Sequence, residues 1–153
     1  MIGFKSNILA CVVSAGLMSL AGHAPASSES PRTLYLLRCS GCHGVDGSGS
    51  KTGRVPGLTG ISKLLLHPDG RLFLANVPGI ENSGLSDGQI AFLLNWALDF
   101  WRDRSFNQLG PPLTGNEISR LKKIPVDDLT RLRDRIAADL AAQGINLGSN
   151  PAR

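Results

Sequence analysis

Cys39-Ser40-Gly41-Cys42-His43 is the stretch on which the reading of this chain turns. It matches Cys-x-x-Cys-His, the attachment pattern for a c-type haem. Two thiols at this spacing, at the end of a short helix, can each add to one vinyl group of the same porphyrin. The histidine directly after the second thiol can then reach the iron from one side as the proximal ligand. The residues that follow, Gly44-Val45-Asp46-Gly47-Ser48-Gly49, are small and flexible enough for the backbone to pass close to a haem edge. Two other chemistries use paired cysteines. A zinc knuckle needs a second ligand pair, and the other cysteine of the chain is Cys11, in a segment expected to be removed. A thioredoxin-like pair belongs after a strand in a βαβ unit, and no such pattern is visible.

The chain has 153 residues, room for one domain. Residues 1–26 read as a secretory signal peptide: Lys5 is the basic start, Ile8 to Leu20 the apolar run, and Ala24-Pro25-Ala26 the small-residue cleavage site. The run is short for a transmembrane helix, so no integral membrane span is expected after cleavage. Cleavage removes Met1 and Met18, and the mature protein then holds no methionine and only the two motif cysteines. It also removes Lys5, so the 16 Lys+Arg of the chain become 15 against 12 Asp+Glu. That mild basicity supports weak steering toward an acidic partner. Nucleic acid is not an expected partner, because no basic stretch is interleaved with aromatics.

Ser30 before Pro31 is an N-cap followed by proline at the first helical position, predicting a helix from Pro31 to about Ser40. Leu34 and Leu37 form its short apolar stripe, and Tyr35 reads as a packing residue. Gly44 to Gly60 is a Gly-, Ser- and Thr-rich loop. Within it, the Pro56 carbonyl is placed to accept a hydrogen bond from the imidazole N–H of His43, which would fix the ring. An ordinary Pro-Gly turn is the plainer reading of the same residues.

Cys39 to His43, Gly44-x-Asp46-Gly47-x-Gly49 and Pro56-x-Leu58-x-Gly60 together resemble the monohaem class I cytochrome c family, over roughly residues 31 to 101. The resemblance implies an all-α fold, helices wrapped around one covalent haem c, and a role in carrying electrons between membrane or periplasmic enzymes. It also implies a methionine as distal ligand in the stretch that here reads Ile80, Glu81, Asn82, Ser83, and no methionine is present. His67 is the expected replacement, since His43 and His67 are the mature histidines and neutral imidazole is a common metal ligand. The alternatives are a five-coordinate iron, with Lys63 or Asn82 as minor options, or His67 as a solvated turn residue.

Ser86-Asp87-Gly88-Gln89 is a capping box opening a strong helix, with Ile90, Leu93, Leu94, Ala97 and Trp101 on one face. Phe92 and Trp96 extend the apolar surface to an adjacent face, and Trp96 and Trp101 read more simply as packing than as an electron relay. Residues 27–101 are therefore the expected haem domain. Residues 102–153 are an expected C-terminal helical extension folded back on it. The extension has a second capping box at Thr114–Glu117 and a last helix from about Val126 to Gln143, striped with Leu129, Leu132, Ile136 and Leu140. Interleaved Arg and Asp along that helix predict local ion pairs on a solvated face.

The expected function is that of a periplasmic monohaem electron carrier, not an enzyme, working with redox partner proteins. Cys39 and Cys42 would anchor the haem, His43 and His67 would bind the iron, and Pro56 would orient His43. The competing expectation is a gas-binding, sensing or peroxidase-like haem protein with an open distal side, in which His67 would be a hydrogen-bond or acid–base residue.

Overall fold

Ser30 opens the first helix as its sequence predicts: its hydroxyl accepts from the Thr33 N–H, and Pro31 takes the first helical position. The chain is described here from a computed structural model, for residues 29–105 and 110–147. The expected signal peptide and its cleavage site lie outside the described residues. The chain is all-α. Helix α1 (Pro31–Arg38) and the single turn α2 (Ser40–His43) lead into a long loop. A 3-10 segment (Ile61–Leu66) follows, then α3 (Gly70–Asn76), α4 (Pro78–Glu81), α5 (Asp87–Phe100), α6 (Gly115–Leu121) and α7 (Leu129–Ala141). Among the described residues there is no strand, only an isolated bridge between Ser50 and Val55.

Helix α5 is the centre of the molecule. The full capping box forms, with the Ser86 hydroxyl accepting from the Gln89 N–H and the Gln89 carboxamide oxygen accepting from the Ser86 N–H. Ile90, Leu93, Leu94, Ala97 and Trp101 are all buried, as their spacing predicts. This helix separates two apolar clusters. On one side Leu93, Ala97 and Trp101 meet Leu34 and Tyr35 of α1 and Leu58 of the loop. On the other side Ile90, Ala91, Leu94 and Leu98 meet α3, α6 and α7. Burying each large aliphatic side chain contributes about 1.5–3 kcal/mol, so both clusters stabilise the fold substantially.

Several expectations shift. Leu37 is 62% exposed, and the buried pair of α1 is Leu34 and Tyr35, because that edge of the helix faces α5. Pro78 starts the short helix α4, since proline is well placed at a first helical position. Helix α7 begins later than expected, at Leu129, because the Asp128 carboxylate caps it by accepting from the Arg131 N–H. Thr114 caps α6 through the Glu117 N–H, but the Glu117 carboxylate is held by Arg71 instead of closing a box.

The extension packs back on the rest of the chain. Helix α6 lies against α5 and α3, and α7 against α3. Leu132, Ile136 and Leu140 are buried in the second cluster, and Leu129 packs at its margin. The Asn95 side chain both donates to the Leu113 carbonyl and accepts from the Leu113 N–H, which fixes the entry to α6.

Candidate functional site

Cys39, Cys42 and His43 stand at i, i+3 and i+4 of one helical turn, so their side chains leave on neighbouring directions of the same face. Cys39 ends α1 by donating its N–H to the Tyr35 carbonyl at 2.8 Å, and its own carbonyl then accepts the His43 N–H at 2.9 Å. Both cysteines are free thiols, Cys39 half-buried and Cys42 exposed. Burial, and then the neighbouring Cys42 thiol, push the Cys39 thiol above its ordinary pKa.

The His43 ring is held from behind. Its Nδ1 lies 3.0 Å from the Pro56 carbonyl oxygen, the contact the Val55-Pro56-Gly57 stretch suggested. A carbonyl only accepts, so Nδ1 carries the proton and Nε2 keeps a free lone pair. Burial lowers the His43 pKa, and the Pro56 hydrogen bond opposes that shift.

Pro56 is itself positioned by a folded loop. Ser50 and Val55 exchange both backbone hydrogen bonds, at 2.9 and 2.8 Å, and the Leu58 N–H donates to the Gly47 carbonyl at 2.7 Å. The small residues of this loop serve contacts within the protein. Gly47, at φ +75°, leaves room for the indole of Trp101, and Gly49, at φ +78°, lies against the backbone of Val55 and Pro56. Trp101 closes the arrangement: its indole N–H donates to the Asp46 carbonyl at 2.9 Å, and its carbonyl accepts the Gly60 N–H at 2.8 Å. The Tyr35 hydroxyl donates to the Gly44 carbonyl, and burial raises its pKa, with Cys39 and Asp46 adding to the rise. Tyr35 and Trp101 thus join the motif and its loop to α5. Sequence reading assigned them to packing only, because nothing in a single sequence points an aromatic donor at a particular carbonyl.

His67 lies elsewhere. It follows the 3-10 segment, with its side chain 11% exposed. Its Nδ1 accepts the Asp69 N–H at 3.0 Å, and its Nε2 lies 3.1 Å from the Asp139 carboxylate on α7. A backbone N–H only donates, so Nδ1 is the acceptor and Nε2 bears the proton given to Asp139. The hydrogen bonds of His67 therefore run to its own turn and to the C-terminal extension, and not to the motif. The other donors considered from sequence also have partners. Lys63 pairs with Asp103 at 2.9 Å and donates to the Asn146 carbonyl at 3.0 Å. The Asn82 amide donates to the Pro78 carbonyl at 2.9 Å.

Among the described residues, no group of three or more His, Cys, Asp or Glu side chains is arranged to hold a metal ion by itself. Among the same residues no helix is long and apolar enough to cross a membrane. No family model and no curated protein matches the chain.

Proposed function

We propose that this chain is an exported c-type haem protein that carries electrons between partner proteins outside the cytoplasm. The observation that carries the reading is the turn Cys39–His43 with its imidazole Nδ1 fixed on the Pro56 carbonyl. The donor set fits the group. Two unpaired thiols at i and i+3 suit two thioether links, and a ring nitrogen with a free lone pair suits one axial bond. The same residues suit a bare zinc ion poorly, since they do not converge on a metal site.

In this reading Cys39 and Cys42 hold the haem covalently and His43 is its proximal ligand. Pro56 acts through His43, keeping the tautomer and ring orientation that expose Nε2. When bound, haem supplies a one-electron Fe(III)/Fe(II) couple. Beside the motif, Leu34, Tyr35, Leu58, Leu93 and Trp101 pack with Cys39 in one apolar cluster. The partners are redox proteins, and the chain itself carries out no bond-making reaction.

The test is expression in a host that exports the protein and attaches haem. The expected product carries one covalent haem that survives denaturing electrophoresis and is lost when Cys39 and Cys42 are both changed to serine. It should cycle reversibly by one electron, at a midpoint below that of a His/Met cytochrome, because methionine ligation raises the potential. Wild-type protein recovered from such a host without covalent haem would overturn the proposal.

A further inference from the structure

We infer that Trp101, at the end of α5, is a positioning residue that sets the strength of the His43–Pro56 hydrogen bond, and through it the donor power of His43 toward the iron. The inference rests on the haem reading above and deepens it. Pro56 is carried by the loop from Gly44 to Gly60, and Trp101 ties that loop near both of its ends. Near one end the indole N–H donates to the Asp46 carbonyl at 2.9 Å. At the other the Trp101 carbonyl accepts the Gly60 N–H at 2.8 Å. Trp101 is the residue that caps α5, and the last carbonyls of a helix have no partner within it, so this one is free for the loop. The indole also lies against Gly47, where a Cβ would come within 2.6 Å of the ring. The core fixes the indole in turn: Trp101 is buried with Leu34, Leu58 and Leu93, and the Tyr35 ring lies 4.8 Å away between centroids.

From Trp101 the ties lead to Pro56 in short steps. The Gly47 carbonyl accepts the Leu58 N–H at 2.7 Å, so the residue after Asp46 holds the chain two residues past Pro56. Gly49 packs on the backbone of Val55 and Pro56, and its own N–H donates to the His43 carbonyl at 2.8 Å. The loop that joins His43 to Pro56 therefore hangs from one residue of α5. Across it runs the 3.0 Å contact between the His43 Nδ1 and the Pro56 carbonyl oxygen. A carbonyl that accepts from the Nδ1–H raises the basicity of the ring, which strengthens Nε2 as a donor. A stronger donor favours ferric over ferrous iron. The acceptor is a backbone oxygen that no side-chain change removes, so control of the bond falls to the residue that places the loop.

The experiment uses the exported, haem-loaded full chain as wild type, Trp101→Phe, Gly47→Ala and Trp96→Phe. Trp101→Phe keeps an aromatic ring and removes the indole N–H, and Gly47→Ala disturbs the same contact from the loop side. Trp96→Phe is the packing control, because its ring meets those of Trp101 and Tyr35 at 5.3 and 5.7 Å between centroids. Covalent haem is confirmed first by mass. Its absence would count against the haem reading itself, and the His43 ring is then read by NMR on the haem-free full chain. In Trp101→Phe and Gly47→Ala the His43 Nδ1–H resonance is expected to shift and to exchange with solvent about threefold faster than in wild type or Trp96→Phe. The midpoint potential of both variants should rise by about 28 mV, which is a roughly threefold change in the ratio of ferrous to ferric protein for one electron. A loop that had merely loosened would instead admit water, which favours the more highly charged ferric state and lowers the midpoint. An unchanged Nδ1–H signature in Trp101→Phe, or a midpoint that stays or falls, would overturn the inference. So would an equal shift in Trp96→Phe, which would make the effect one of packing alone. If Trp101→Phe does not accumulate, Gly47→Ala is read the same way.

Discussion

Gly47 shows how much one residue decides near the motif. Its φ is +75°, and a Cβ there would lie 2.6 Å from the Trp101 indole. Gly47→Ala combines backbone strain with overpacking and should cost about 1–3 kcal/mol in urea unfolding. Gly88 makes the contrast. It lies in the first turn of α5 with an ordinary φ and nothing within 4 Å of a Cβ. Gly88→Ala should therefore stabilise by up to about 1 kcal/mol in the same assay. Tyr35 acts through a single atom, its hydroxyl on the Gly44 carbonyl. Tyr35→Phe keeps the ring against Trp101, at 4.8 Å between centroids, and loses only that hydrogen bond. A loss of about 1 kcal/mol is expected, with faster amide exchange at Gly49, whose N–H donates to the His43 carbonyl.

At the scale of elements, α5 is specified locally as well as by packing. Ser86 satisfies the Gln89 N–H with its side chain, and Gln89 answers at the Ser86 N–H. Ser86→Ala breaks the reciprocal box and should cost about 1 kcal/mol by thermal or urea unfolding, with the first turn of α5 losing amide protection. Helix α1 is the opposite case. With 8 residues and one buried edge it would be marginal alone. It is kept by Leu34 and Tyr35 against α5, so Leu93→Ala on α5 should loosen α1 and the motif together. Helix α7 was expected to carry local charge pairs. Arg131 does pair locally with Asp128, while Arg135 and Asp139 reach across to Asp69 and His67.

Across the whole molecule, the two clusters flanking α5 separate the motif from the extension. Ile136 is fully buried in the cluster that holds α3, α6 and α7, and it is absent from the one that holds Cys39. Ile136→Ala should cost about 2–5 kcal/mol, since it leaves a cavity that a packed core fills poorly. Its hydrogen-exchange signature should appear in α3 and α7 while α1 and the motif turn keep most of their protection. A uniform loss of protection across both clusters would show instead that the two sides of α5 unfold as one unit.

Much of this architecture was legible in the sequence because its signals are local. Caps at Ser30, Ser86 and Thr114, the apolar period of α5 and α7, and Gly144 just past the end of α7 all act within a few residues of themselves. The order Cys-x-x-Cys-His likewise determines, from one helical turn alone, that two thiols and an imidazole share a face. Tertiary structure decided what lies far apart in the chain. Nothing near Tyr35 or Trp101 in sequence assigns their donors to the Gly44 and Asp46 carbonyls, and nothing near His67 names Asp139, 72 residues away, as its partner. Composition made His67 the natural choice for an iron. A hydrogen bond to a distant residue depends on how helices pack, and that packing places both of its ring nitrogens on other partners.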